Sequence, residues 1–218
     1  MAIDLTGITS ENEFFSGHYL AALIEDDLRG VLNEWRTREA EQKAKTPWAQ
    51  LSSLSGGFFD LCSRLGKIRP ARERLEAQRN FLVPVLKALG YEAYPRPREL
   101  DDGTVVPVFA EVTRSGGEPL LWCFEVAPSQ DEDIDLLEES LVPEQFPEQV
   151  EGGFRFHGDL SFEELLSRHV FTRDEPPRWV ILAGGSQVLL LDREKWREKR
   201  ALRFDLDEIF SRRETTTL

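Results

Sequence analysis

The chain has 218 residues, 40% of them hydrophobic and 31% charged, and its 40 acids against 27 lysines and arginines give a net charge of −13. The apolar fraction and five tryptophans exclude a disordered chain, and the length suits one large domain or two small ones. Such acidity argues against a surface that binds DNA all round, because duplex DNA attracts basic patches.

No run is apolar for the length of a membrane span. The opening MAIDLTGITSENEFF lacks the basic segment and following apolar stretch of a secretory signal, so a cytoplasmic location is the expectation. Cys62 and Cys123, the only cysteines, sit in apolar surroundings and read as two buried thiols, with a disulfide as the alternative.

In chain order, Leu20, Ile24, Leu28, Val31, Leu32 and Trp35 recur at three- and four-residue spacing, which predicts a long amphipathic helix from about Asn12 to Ala44. Ser10 before Glu13 has capping-box spacing, and Asn12 is a rival cap. A second helix is expected over Pro47–Leu65, interrupted near Ser55-Gly56-Gly57. A third runs from about Pro70 to Leu89, with Leu75, Leu82, Val85, Leu86 and Leu89 on one side, Pro84 inside it and Gly90 ending it. Beyond Gly90 the period changes to short β-branched and aromatic runs at Tyr91–Tyr94, Val105–Thr113 and Leu120–Val126. From Asp131 to Glu151 there are nine acids and no basic residue, and the segment Asp131–Gly153 reads as an acidic surface loop with one short helix around Leu136–Leu141.

Ser161–Val170 is expected to be a helix capped by Ser161, with Glu163 and Glu164 favoured in its first turn. A tight hairpin follows, Arg178–Ala183 and Gln187–Asp192 over Gly184-Gly185-Ser186, then a strand at Ala201–Phe204 and a helix at Asp207–Arg212. Trp122 and Trp179 are the expected buried strand tryptophans. The chain thus divides into a helical N-terminal part, residues 1–89, and a mixed α/β part, residues 90–218.

The chemistry concentrates on the hairpin Val105–Ala127. A two-strand acid site needs carboxylates that bridge magnesium and a lysine that positions the attacking water. Glu111 lies on the first strand, Glu125 on the second, and Glu76 on the preceding helix supplies a third acid. These three are the catalytic candidates for a magnesium-dependent nuclease, with Glu111 and Glu125 as the metal ligands. Strict alternation puts Glu111 on the strand face of Phe109 and Thr113, and Glu125 on that of Cys123 and Ala127. Two parts of the pattern are missing: Ala127 stands where Glu-x-Lys requires lysine, and Pro107-Val108 stands where a Pro-Asp pair is expected. Ordinary strand acids are the competing explanation.

Other constellations are weaker. His18, His157 and His169 are scattered and neither cysteine has Cys-x-x-Cys spacing, so the sequence offers no zinc motif, and His157-Gly-Asp159 reads as structural. There is no Gly-x-Ser-x-Gly, no Gly-x-Gly-x-x-Gly, no Walker lysine and no Asn/Asp-Pro-Pro-Tyr/Phe of amino-directed DNA methyltransferases, so the chain is not expected to methylate DNA by itself. Arginines and lysines gather at Arg64–Arg79 and again near the C-terminus. There Arg193, Lys195, Arg197, Lys199 and Arg200, with Trp196 among them, are the candidates for contact with a phosphate backbone. Glu73, Glu194 and Glu198 make a salt-bridged surface the alternative.

Three segments, GITSENEFFSGHYLAALIEDDLRGVLNEW, LVPVLKALGYE and PPRWVILAGGSQVLLLDREKWREKRALRFDLDEIFSRRE, resemble the N-terminal region of large bacterial restriction-modification DNA methyltransferases. These are the type IIG enzymes and their relatives in BREX- and DISARM-type phage defence. The resemblance implies an α/β (α+β) chain whose helical front precedes a mixed sheet of the restriction-endonuclease-like kind, degenerate where Ala127 replaces lysine. It implies a methyltransferase domain or subunit as partner, with duplex DNA beside it. It also implies that S-adenosylmethionine belongs to the parent protein and magnesium only to an active nuclease. On this reading the C-terminal Arg-Arg-Glu-Thr-Thr-Thr-Leu lies just before a helical connector. The remaining alternatives are an active magnesium-dependent endonuclease and a stand-alone module that binds a basic partner through its acidic loop.

Overall fold

In the computed structural model, which describes residues 5–129, 134–147 and 154–211, seven strands form one mixed sheet. They are β1 (Ile8–Glu11), β2 (Ala93–Glu99), β3 (Val105–Thr113), β4 (Pro119–Glu125), β5 (Trp179–Gly184), β6 (Gln187–Asp192) and β7 (Ala201–Asp205), in the order β1-β7-β6-β5-β4-β3-β2. Every neighbouring pair is antiparallel except β4 and β5, which run parallel in the middle. A parallel pair requires a crossover, and helix α5 (Phe162–Leu165, extended by a π-helical turn through Val170) supplies it. The remaining helices are α1 (Ile24–Gln42), α2 (Pro47–Ser52), α3 (Ser55–Leu65), α4 (Ala71–Ala88) and α6 (Leu206–Ser211).

The central strands are buried on both faces, which is why they read as apolar runs and not as clean alternation. On one face Phe109, Cys123 and Ile181 meet Phe58 of α3, Phe81 and Leu82 of α4 and Phe210 of α6. On the other, Val108, Trp122, Phe124, Val180 and Leu182 meet Phe162, Leu165, Leu166 and Val170 of α5. Ser161 caps α5 as expected, its hydroxyl accepting from Glu164 N at 3.2 Å, and the structure adds the reciprocal bond from Ser161 N to the Glu164 carboxylate that completes a capping box. Pro95 and Pro97 are tolerated in β2 because that strand is the sheet edge, where an N–H can go without a ladder partner. Gly184 permits the close approach of two strand ends, since a Cβ there would lie 2.8 Å from both Cβ and the carbonyl oxygen of Val126.

Several expectations need correction. The first helix does not start at Asn12: Ile8–Glu11 is a strand paired with β7, and Asn12 and Glu13 turn through left-handed φ values of 48° and 58°. Ser10 does not cap Glu13, because its hydroxyl is taken by the backbone of Phe15. A π-helical turn at Tyr19–Leu23 then leads into α1. No residue of α1 is fully buried: Leu28 and Val31 of its apolar stripe are exposed, Ile24, Leu32 and Trp35 are half-buried, and the ring of Trp35 lies 5.9 Å from that of Trp48.

Cys62 is exposed and only Cys123 is buried; both are free. The segment 134–147 is not a surface loop but packs Leu136, Leu141 and Phe146 into the core, with a bridge between Ser140 and Ser161 in place of the expected helix; the rest of the acidic stretch lies outside the described residues. Trp179 is half-buried, not core. Among the described residues no helix is long and apolar enough to cross a membrane.

Trp122 is 1% exposed and Trp179 is not enclosed. Trp122→Ala should therefore lower the unfolding free energy by about 3–5 kcal/mol. Trp179→Ala should cost clearly less, and urea denaturation of the two variants side by side checks the order.

Candidate functional site

The β3–β4 hairpin forms as its sequence suggests, turning through Gly117 at a φ of 92°. Its acids do not converge, because the ladder slips between Val108 and Ala110. At that bulge Phe109 and Ala110 both turn toward the α3–α4 layer. Glu111 is thereby flipped relative to strict alternation: it pairs with Trp122 and lies on the α5 face, and the ladder slips again between Val112 and Thr113. Glu125, three residues past Trp122, lies on the α4 face with Cys123. The shared strand face expected for Glu111 and Phe109 is thus overturned, and Glu111 and Glu125 look into opposite layers.

Glu111 is occupied where it stands. The indole N–H of Trp122 donates to it at 2.8 Å and the guanidinium of Arg98 donates through Nε at 3.0 Å and through Nη2. Burial raises its pKa, but these donors outweigh it and hold the carboxyl below its ordinary value.

Glu125 is nearly enclosed, 2% exposed, at the C-terminal ends of the parallel strands. Arg79 of α4 donates to it from Nε at 2.6 Å and from Nη2 to the carbonyl of Gln145 at 3.0 Å. Gln78, also of α4 and fully buried, donates to Glu125 at 3.3 Å and to the Val126 carbonyl at 2.8 Å, while accepting from Gly185 N at 2.8 Å. The Gln145 amide donates to the Glu125 carbonyl. Burial pushes the Glu125 carboxyl above its ordinary value, and the ion pair with Arg79 recovers only part of that. Arg79 and the exposed Glu76 line an open groove of about 610 Å³ together with Pro143, Phe146 and Phe154.

The C-terminal basic candidates divide. Lys195 is turned inward, bonded to the Phe14 carbonyl at 2.8 Å and set over the Phe14 ring; Lys199 pairs with Glu163, and Arg200 with Glu198 and the Glu13 carbonyl. Arg193 and Arg197 remain exposed.

One constellation was not visible along the chain. His157 Nε2 and His169 Nδ1 lie 2.9 Å and 3.2 Å from the same oxygen of Asp102. The other Asp102 oxygen accepts from the Thr104 backbone at 2.9 Å and from its hydroxyl. Burial disfavours the Asp102 carboxylate, yet the Thr104 bonds and His157 hold its pKa well below the ordinary range. No motif spacing signals this trio.

Compared with known protein families, with curated proteins and with solved structures, the chain matches none. Its side chains therefore carry the chemical argument alone. Arg79→Met should cost about 3–5 kcal/mol at pH 8, where a buried carboxylate is left unpaired, and progressively less as pH falls and Glu125 takes up a proton instead. Glu125 itself sets a pH slope. Its folded-state pKa lies above the ordinary 4.5, so the stability it contributes is fully present below that value and is lost as pH rises through the folded pKa. The stability of Glu125→Gln relative to wild type should therefore grow from about pH 4 to pH 8 in denaturation at each pH. A difference that shrinks would mean that Arg79 outweighs burial.

Proposed function

We propose that this chain is an N-terminal module of a restriction-modification or phage-defence DNA methyltransferase, with a restriction-endonuclease-like fold that no longer cuts. The observation that carries the reading is the succession α4, the β2–β3–β4 meander, crossover α5 and a β5 parallel to β4, with Glu125 closing β4. A mixed sheet with an acid at that strand end is what the restriction-nuclease kind of fold uses. Loss of cutting follows from the side chains. Metal-assisted hydrolysis needs carboxylates on one ion and a cation aimed at water. Here Glu111 is on the far face, Ala127 replaces the lysine, and the Arg79 cation is spent on Glu125.

Exposed apolar side chains on the π-helical turn and α1 support a docking role, since Leu23 of the turn and Leu28 and Val31 of α1 are each about two-fifths exposed (45%, 39% and 42%) and a methyltransferase domain or subunit would cover them. S-adenosylmethionine and base chemistry belong to that partner. Duplex DNA contact, where it occurs, falls to Arg193 and Arg197.

Immunoblotting of source-cell lysate should show a species several times the size of this 218-residue chain, or a stable complex with a methyltransferase subunit. Leu28→Asp with Val31→Asp should leave the circular dichroism unchanged and abolish that association. The rival reading is an active magnesium-dependent endonuclease. Plasmid incubated with the chain and magnesium should stay supercoiled; nicking that disappears in Glu125→Ala would establish the rival.

A further inference from the structure

Asp102, His157 and His169 come from three separate segments: the turn between β2 and β3, the strip leading to α5, and the π-helical end of α5 itself. Asp102 is more than 50 residues from the two histidines, which themselves lie 12 residues apart, and one donor atom from each of the three lies within 4.8 Å of the others. The imidazole rings lie with centroids 4.1 Å apart and 31° between planes, so both present a nitrogen to the same side. Their distances to the carboxylate oxygen, 2.9 Å and 3.2 Å, are those of a hydrogen bond and an ion pair, and they also match ligands about 2.1 Å from one ion with angles of about 90–100° between them. The backbone and hydroxyl of Thr104 hold the second carboxylate oxygen and so fix the direction of the first. Outer contacts of this kind set the orientation of a metal-binding carboxylate. The turn is pinned as well: Asp174 N donates to Asp101 at 3.0 Å, and Leu100 and Thr104 close it at 2.7 Å.

From this geometry we propose that Asp102, His157 and His169 form a two-histidine, one-carboxylate site for a first-row divalent transition metal, zinc being the test ion. Imidazole and carboxylate together select such ions over magnesium or calcium, which prefer oxygen alone. All three side chains keep partial exposure, 36% for Asp102, 18% for His157 and 23% for His169, so the remaining coordination positions face solvent and take water. An ion there would clip the β2–β3 turn to the crossover helix, and its binding energy would add to folding. The site is separate from the Glu125 cluster, which lies on the other face of the sheet. The proposal therefore stands whether or not the methyltransferase reading does.

Titration of the full chain with zinc, after treatment with chelator, should show one ion bound per chain by calorimetry and a rise in melting temperature. Cobalt should give visible absorption bands of nitrogen-and-oxygen ligation. Loss of an outer partner alone costs 10–100-fold in affinity, so His157→Gln, His169→Gln and Asp102→Asn should each lose about 100-fold or more. His18→Gln should leave binding unchanged. Equal zinc affinity in wild type and in the His157→Gln/His169→Gln double variant would overturn the site, as would no binding by the wild type. Because wild-type binding is itself decisive, a variant that fails to fold leaves the proposal open to refutation.

Discussion

Gln78 is fully buried, and its amide ties three parts of the molecule together: helix α4 that carries it, the end of β4 at Glu125 and Val126, and the turn after β5 at Gly185. A buried amide left unbonded costs about 1–3 kcal/mol, so this side chain admits one placement of helix on sheet. Gln145 extends the knot to the 134–147 segment through the Glu125 carbonyl and the Val142 N–H. The consequence is that the parallel strand ends, the helix layer and the loop above them are positioned by one hydrogen-bonded group. The apolar contacts on either face then fill in around that frame.

That frame also explains what happened to Glu125. An acid at the C-terminal end of parallel strands is well placed for ligands, since open α/β sheets bind them there. Here the carboxylate faces Arg79 and Gln78 at close range and is shielded from solvent. A buried charge must be paired, and once paired it is no longer available to a metal. The acid therefore serves to hold α4 against β4. Glu111 follows the same course on the other face, satisfying the indole of Trp122 and pinning edge strand β2 through Arg98.

The largest departures from sequence reasoning came where one local irregularity had distant effects. The bulge near Phe109 reverses the facing of Glu111, because side chains alternate with period two and one extra residue inverts those that follow until the next shift, at Val112–Thr113. Strand β1 escaped notice because four residues, ITSE, carry no usable periodicity; it is a strand only because β7 offers it a ladder. The half-covered stripe of α1 shows the converse. The helical period held over Ile24–Gln42, yet amphipathicity says that a face wants cover and not what covers it.

By itself, the sequence determined the local elements whose causes are local. Helix α4 between Pro70 and Gly90, the Gly117 hairpin, the Ser161 cap and the tight β5–β6 turn all follow from backbone preferences and capping within a few residues. Only the tertiary structure decided which acids share a face, which cations are consumed by ion pairs, and that Asp102 meets His157 and His169. Those outcomes depend on register, crossover and burial, which are set by contacts between residues tens of positions apart, and no short spacing in the chain encodes them.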